Sequence, residues 1–163
     1  MPEQAVVNAS PLICLSKINA LELLGSLYQQ VVIPEAVLLE VQAGESGIEL
    51  INKLKTFSWI KIVRVESLDP DLIEWDLGAG ETSVLVWARR YPRHELLMDD
   101  RAASRCARLY GLSTRGTLGI LLLAKEKQKL SEIKSAIEAL IQAGCWISPS
   151  LRQRVLAMAG ETE

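Results

Sequence analysis

The sequence predicts a three-layer α/β/α domain built on a parallel sheet, and two observations support this fold class. Short runs of β-branched and aliphatic residues, which are typical of buried strands, alternate with longer segments of helical periodicity. No long linker, low-complexity tract or internal repeat interrupts the alternation, and 163 residues suit a single domain spanning 1–163. Strands that alternate with helices favour a parallel sheet that is covered on both faces.

Five segments are predicted to be strands. The first, second and fourth are short apolar runs, the third alternates apolar with charged residues as an edge strand does, and the fifth is brief. In chain order the predicted strands are residues 5–7, 31–33, 59–65, 96–98 and 112–114.

Helices are predicted between and after these strands from apolar spacing and from start and stop signals. Ser10 is expected to cap the first helix, with Pro11 at its first position, and Gly25 is expected to end that helix after residue 24. The triplet 78–80 is expected to be a loop. The remaining helices are predicted at residues 34–43, 48–57, 70–77, 81–90, 101–110, 117–128, 131–143 and 149–160.

The composition excludes several classes of protein. A formal net charge of −2 gives no global attraction for nucleic acid, so any such contact needs a local basic patch. A single histidine, His94, excludes a multi-histidine metal site. The three cysteines are odd in number and form no CxxC pair, which is typical of reduced thiols in the cytoplasm. No signal peptide is visible and no apolar stretch has the length of a membrane span, so we expect no contact with a membrane.

Acidic and amide side chains follow or precede the predicted central strands. Asn8 ends the first strand, Asp99 and Asp100 end the fourth, Glu81 begins the helix before the fourth strand, and Glu40 lies in the helix after the second. If the strand order is 3-2-1-4-5, Asn8 and the Asp pair lie side by side at the switch point of the sheet. Adjacent carboxylates repel each other, and a divalent cation or a shared proton would relieve that repulsion.

Each of these residues also has a purely structural interpretation. Asp100 can cap the following helix while Asp99 is merely solvated. Glu81 in a first helical turn is favoured by the helix dipole alone, and Glu40 can be an exposed helical carboxylate. Asn8 can simply be a turn residue after the first strand.

Five stretches that contain these positions resemble a known family. They are VVNASPLICLSKINALELL, VVIPEAVLLEV, LGAGETSVLVWA, LLMDDRAASRCARLYGL and RGTLGILLLAK, and together they cover essentially the whole chain in order. The chain thus resembles the PIN-like proteins of the DUF3368 family. The resemblance implies a PIN-like fold with strand order 3-2-1-4-5 and a Mg²⁺- or Mn²⁺-dependent ribonuclease.

The resemblance also implies which residues form the site. The family's helical acid falls on Glu40, the acid that opens the helix before strand four falls on Glu81, and the acid that ends strand four falls on Asp99 or Asp100. These four residues are the predicted catalytic groups, and together with Asn8 they are the predicted metal ligands. Asn8 departs from the usual aspartate, which weakens metal binding because Mg²⁺ depends on carboxylates.

The implied reaction is phosphodiester hydrolysis of single-stranded RNA, with the RNA bound by Ser10, Arg101, Arg105 and Arg108. The three arginines share one helical face, although such a face is often only solvated and salt-bridged. Further arginines that could steer the backbone are Arg89, Arg90 and Arg93.

Two other roles remain open at this point. One is a catalytically weak or inactive PIN-like module that binds RNA or a partner protein. The other is the toxin of a toxin–antitoxin pair, silenced by a small antitoxin protein. The apolar segments 117–124 and 151–158 could supply a homodimer or partner surface, or could simply pack inside the domain.

Overall fold

The computed structural model describes residues 2–66 and 69–162 and contains a five-stranded, all-parallel sheet. The strands are β1 (Gln4–Val7), β2 (Gln30–Pro34), β3 (Ile60–Val63), β4 (His94–Leu97) and β5 (Thr114–Arg115). Their order is β3-β2-β1-β4-β5, so the predicted fold class and strand order are both confirmed.

The described residues also form ten helices. They are α1 (Ala9–Lys17), α2 (Glu22–Leu27), α3 (Glu35–Ala43), α4 (Gly47–Leu54), α5 (Pro70–Ile73), α6 (Ala79–Arg90), α7 (Arg101–Leu109), α8 (Thr117–Glu126), α9 (Lys134–Gln142) and α10 (Pro149–Met158). Within this part of the chain, no helix is long and apolar enough to cross a membrane.

The helices cover both faces of the sheet, as successive residues of β4 illustrate. His94 contacts the rings of Trp87 and Tyr91 at the end of α6. The next residue, Glu95, accepts hydrogen bonds from Tyr28 and Arg115 instead. Since successive strand residues point to opposite faces, α6 lies on one side of the sheet and Tyr28 and Arg115 on the other. The sheet is therefore the middle of three layers.

The carboxyl ends of β1 and β4 lie next to each other at one edge of the sheet. Val7 pairs with Leu97 in parallel register, and the amide of Asn8 donates a 2.9 Å hydrogen bond to the Leu97 carbonyl. In a parallel sheet, this edge is where residues that follow the strands meet. Asn8 and the segment that contains Asp99 are therefore neighbours.

The first predicted helix is wrong in three respects. The chain forms α1 and α2 instead of one helix, and between them Asn19 adopts a left-handed φ of 55°. Gly25 lies inside α2, where a Cβ would come 2.3 Å from Cε2 of the Trp59 ring, so the close approach of Trp59 requires glycine. The N-cap is Asn8 and not Ser10, whose hydroxyl bonds to Asp99 instead.

Helices α6 and α8 bear on two further predictions. Helix α6 begins at Ala79, so the predicted loop 78–80 contributes only its first residue, Gly78, as the N-cap. Helix α8 buries Ile120, Leu121 and Leu123 in the core. Its apolar character is therefore used by internal packing.

Candidate metal and active site

Asn8 lies at the centre of the candidate site. Its side chain is only 3% exposed, and its Nδ2 donates a 3.3 Å hydrogen bond to Oε1 of Glu81, in the first turn of α6. The other amide atom, Oδ1, is buried and has no hydrogen-bond partner within the described residues. A buried acceptor without a donor is unfavourable, and such an atom calls for a ligand that can supply the missing interaction.

Glu40 of α3 and Gly80 of α6 complete this group. A Cβ on Gly80 would lie 3.1 Å from Asn8 Oδ1 and 3.6 Å from each carboxylate oxygen of Glu40. The missing side chain therefore leaves room for oxygens from two elements to converge beside α6. The Glu40 side chain is exposed at the surface, but partial desolvation, and secondly the negative charge of Glu81, raise the pKa of its carboxyl. We refer to Asn8, Glu40 and Glu81 as the acceptor cluster.

Asp99 follows β4 and is held at the N-terminus of α8. Its Oδ1 accepts a 2.8 Å hydrogen bond from the Thr117 amide, and its Oδ2 accepts bonds from the Thr117 hydroxyl at 2.7 Å and the Ser10 hydroxyl at 2.8 Å. A carboxylate is favoured there because the helix terminus presents unpaired N–H groups. Ser10 thus connects α1 to the end of β4.

Asp100 has a different environment from that of Asp99. It is the N-cap of α7, and its Oδ1 accepts a 2.8 Å hydrogen bond from the Ala103 amide. Asp100 therefore caps the following helix, as its purely structural interpretation predicts.

The predicted RNA-binding arginines, Arg101, Arg105 and Arg108, are all exposed on α7. Of the three additional arginines, Arg93 is also exposed, whereas Arg89 and Arg90 form ion pairs. Arg89 binds Asp71 through both carboxylate oxygens, at 2.9 and 2.7 Å, and its guanidinium lies 4.6 Å from the centre of the Tyr110 ring. Arg90 lies 3.7 Å from a carboxylate oxygen of Asp69. These ion pairs join α6 to the region of α5, which is a structural role.

A cavity of about 660 Å³ opens beside Asp99. Ser10 and Asp99 line it together with two cations, Lys17 and Arg101, and with Trp146. Trp146 is 82% exposed, although a tryptophan normally buries most of its surface. The sequence does not predict this exposure; the one signal of it is the position of Trp146 between Gly144 and the Ser148-Pro149 helix start.

Nor does the sequence predict the buried polar side chains around Glu95 on β4. Glu95 is 2% exposed and accepts hydrogen bonds from Tyr28 Oη at 2.5 Å, Arg115 Nε at 2.7 Å and Ser113 Oγ at 3.4 Å. Nothing local predicts this group, because its members are distant in the sequence.

The oxygen atoms of the acceptor cluster are suitable ligands for a hard cation. An amide oxygen and carboxylate oxygens are the ligands that Mg²⁺ and Mn²⁺ prefer, and the acceptor cluster supplies both kinds. The cluster offers two carboxylates, whereas the family pattern has a third, an aspartate, at the position of Asn8. Across residues 2–66 and 69–162, no three His, Cys, Asp or Glu side chains are arranged to hold a metal ion. At the acceptor cluster, the uncharged Asn8 stands beside the two carboxylates.

A parallel 3-2-1-4-5 sheet with acids gathered near the carboxyl ends of β1 and β4 defines the class of PIN-like α/β domains. The family model described as DUF3368: PIN domain matches residues 4–161, and the chain belongs to this family. PIN domains are generally nuclease-like and typically use divalent metals. No curated protein matches the chain.

Proposed function

We propose that this protein is a divalent-metal-dependent endoribonuclease that hydrolyses phosphodiester bonds in single-stranded RNA. The observation that carries the proposal is the unpartnered Oδ1 of Asn8, which is buried beside Glu40 in a cluster that also contains Glu81. Among residues 2–66 and 69–162, one internal donor, Asn8 Nδ2, serves these three acceptor groups, and such a set of oxygen acceptors is well suited to bind a cation.

Asn8, Glu40 and Glu81 would hold one Mg²⁺ or Mn²⁺ ion in this proposal. A divalent ion supplies a water of lowered pKa and offsets charge on a scissile phosphate. The amide Nδ2 of Asn8 keeps its bond to Glu81 and so orients that carboxylate. Two carboxylates and one amide favour a single weakly held ion over a two-metal arrangement.

We assign Asp99, rather than Asp100, as the acid that lies beside the RNA, and not as a ligand of the metal, because donors of the protein already occupy its carboxylate. Its carboxylate has three hydrogen bonds from Ser10 and Thr117 that fix its orientation, and it faces the cavity. Asp100 remains a candidate, but its cap on α7 already explains why an acid stands there.

The RNA strand would run along the cavity and α7. Arg101, Arg105 and Arg108 supply exposed positive charge for the phosphates. Trp146, exposed at the rim, offers a flat surface on which one unpaired base can stack. Single-stranded RNA is favoured over duplex because stacking on a side chain needs an unpaired base.

A second candidate function is a catalytically weak PIN-like module that holds RNA or a partner protein uncut. The observation that favours it is Asn8 itself, since an amide brings no negative charge to the metal. The same surfaces would then bind without cleavage.

A role as the toxin of a toxin–antitoxin pair and assembly as a homodimer are finer proposals within the same framework. Exposed Leu109 and Met158 are apolar contacts that an antitoxin or a second copy could cover. The free cysteines support a cytoplasmic location.

The deciding experiment is calorimetric titration with MnCl₂, followed by a cleavage assay on a fluorescent single-stranded RNA. Wild-type protein should bind Mn²⁺ with a dissociation constant in the range of about 10⁻⁶ to 10⁻³ M. Glu40→Gln should abolish that heat. Glu35→Gln is the matched control, because it removes the same charge from the exposed first turn of the same helix.

Three outcomes separate the hypotheses. Mn²⁺ binding with metal-dependent cleavage supports the nuclease. RNA binding without cleavage in saturating Mn²⁺ supports the binding module. Heat of Mn²⁺ binding that is equal in wild-type and Glu40→Gln protein would refute the assignment of the acceptor cluster.

A further inference from the structure

Two cysteines that are distant in the sequence meet in the wall of the cavity. Cys14 of α1 and Cys145, which follows α9, are 131 positions apart, and their Sγ atoms are 2.9 Å apart. Both are free thiols and both are half-buried, whereas the third cysteine, Cys106, is buried in α7. The contact is the closest approach to a covalent cross-link in the described chain, because a disulfide bond measures about 2.05 Å.

Both cysteines are held by regular backbone structure. Cys14 lies within α1, one turn after Ser10. Cys145 is the last residue of a Schellman motif that ends α9: its amide donates to the Leu140 carbonyl at 2.9 Å, the Gly144 amide donates to Ile141 at 3.1 Å, and Gly144 has a φ of 93°. The thiols are therefore brought together by two fixed elements and not by a loop of arbitrary conformation.

A second contact joins the same two elements. Lys17 Nζ, one turn after Cys14, lies 3.5 Å from the Ala143 carbonyl at the end of α9. This contact also holds α1 against the end of α9. From their separation of 2.9 Å, the two sulfurs need to approach by less than ~1 Å to reach bonding distance.

We propose that Cys14 and Cys145 form an intrachain disulfide when the protein meets a two-electron oxidant such as hydrogen peroxide. The bond would link α1, which carries Ser10, to the connection between α9 and α10, which carries Trp146. It would therefore fix the width of the cavity beside Asp99. The inference is independent of the proposed function.

The reaction balances in two steps. The Cys145 thiolate attacks peroxide, the O–O bond breaks, and a sulfenic acid forms while the released hydroxide takes up a proton to become water. Cys14 sulfur then attacks the sulfenic sulfur, the S–O bond breaks, and a second water leaves with the proton of Cys14. Two electrons pass from the thiols to peroxide, and a dithiol reductant reverses the change.

The order of attack follows from the environment of Cys14. Burial, followed by the contact with Cys145 and the charge of Asp99, raises the pKa of Cys14 to about 12. Cys14 is therefore protonated at neutral pH and is the poorer first nucleophile. It is suited to the second, resolving step.

The first test is mass spectrometry of native protein treated with hydrogen peroxide, then denatured and alkylated. Oxidised wild-type protein should accept one alkyl group where reduced protein accepts three, and proteolysis should yield a peptide pair that joins Cys14 to Cys145. Cys106→Ala, the matched control, should still yield the linked pair, whereas Cys14→Ala and Cys145→Ala should not. Three alkylated cysteines after oxidation, or bonds between two chains only, would overturn the proposal.

The second test is thermal unfolding of the oxidised and reduced protein. A bond that closes so long a loop in its native geometry should raise Tm by about 5–15 °C. Cys14→Ala should show no such shift on the same treatment. A fall in Tm on oxidation, or a bond that forms only in denaturant, would show that the native chain does not hold the thiols in bonding geometry.

Discussion

The domain contains two groups of polar side chains around carboxylates, and they differ in their supply of hydrogen-bond donors. Around Glu95, the donors are Tyr28, Ser113 and Arg115, and both carboxylate oxygens are occupied. In the acceptor cluster, the part of the chain that the structure describes gives Glu40 and Glu81 one internal donor, the amide nitrogen of Asn8. The first group is complete without a ligand, whereas the second is not.

The pKa directions express the same difference. Burial alone would raise the pKa of Glu95, but hydrogen bonds from Arg115 and Tyr28 lower it below its usual value. For Glu40, partial desolvation and the neighbouring charge of Glu81 both raise the pKa. A carboxylate that the protein itself stabilises is typical of a structural role, and one that the protein leaves destabilised is a candidate for binding a cation.

The largest expected effect is on catalysis at the acceptor cluster. Glu81→Gln should reduce RNA cleavage by ~10²–10³-fold, because it removes a charge that acts on the metal and the transition state. The free energy of unfolding should hardly change, because the Glu81 carboxylate accepts only the long 3.3 Å hydrogen bond described above. Cleavage of fluorescent RNA and a thermal melt measure the two effects together. Wild-type cleavage by Glu81→Gln would remove Glu81 from the proposed site.

The second largest effect is on stability, at the group of polar side chains around Glu95. Glu95→Gln should lower the free energy of unfolding by about 2–4 kcal/mol, because it leaves the partly buried guanidinium of Arg115 without its counter-charge. Urea denaturation measures this change, and Mn²⁺ binding should remain that of the wild type. An unchanged midpoint would contradict the assignment of Glu95 as a structural residue.

Strands β1, β2 and β4 were predictable because short apolar runs at residues 5–7, 31–33 and 96–98 mark them, although β4 itself begins with His94 and the buried Glu95. Their order was implied by the resemblance to PIN-like proteins and not by the apolar runs. The first helix was not predictable, because its boundaries depend on distant partners. Ser10 has the local chemistry of an N-cap, but its hydroxyl bonds to Asp99, 89 positions away. Gly25 has the local chemistry of a helix end, but it makes room for Trp59 inside α2.

The candidate site shows a similar division. The sequence identified Asn8, Glu40 and Glu81, and the structure brings these three together; their catalytic roles remain predictions. The sequence could not distinguish Asp99 from Asp100, since the difference lies in the bonds that Asp99 receives from α1 and α8. Donor supply is a tertiary property, so no local pattern reveals it.

Restoring an acid in the acceptor cluster should strengthen metal binding and weaken the fold in the absence of metal. Asn8→Asp adds a third carboxylate, and we expect Mn²⁺ affinity to increase by about 10-fold. Without metal, the same variant should unfold at a lower temperature because like charges are crowded together. Calorimetry and melts with and without MnCl₂ measure both changes. Weaker Mn²⁺ binding by Asn8→Asp would show that negative charge is not what limits the site.

Acidification should affect the two groups at different pH. The pKa of Glu40 is raised, so its carboxylate takes up a proton first, and Mn²⁺ affinity should fall by at most about 10-fold per pH unit on the way down through that pKa. The pKa of Glu95 is lowered, so its stabilising effect is present above its unfolded pKa of about 4.5 and is lost only as pH falls through the lower folded value. Calorimetry and melts across a pH series should therefore show metal affinity declining before the Glu95 contribution to stability. The reverse order would contradict the comparison.

The smallest expected effect concerns the exposed ring at the rim of the cavity. Trp146→Ala should weaken binding of single-stranded RNA by about 5-fold, near the lower end of what one stacked base contributes. Trp146→Phe is the matched control and should retain most of the affinity, because a smaller aromatic ring can still stack. Fluorescence anisotropy with a labelled oligonucleotide in EDTA measures binding without cleavage. Stability should be unchanged in both variants because the side chain is largely in solvent. Equal affinities for wild type and Trp146→Ala would place the RNA path elsewhere, and the exposed arginines of α7 would then be the next positions to substitute.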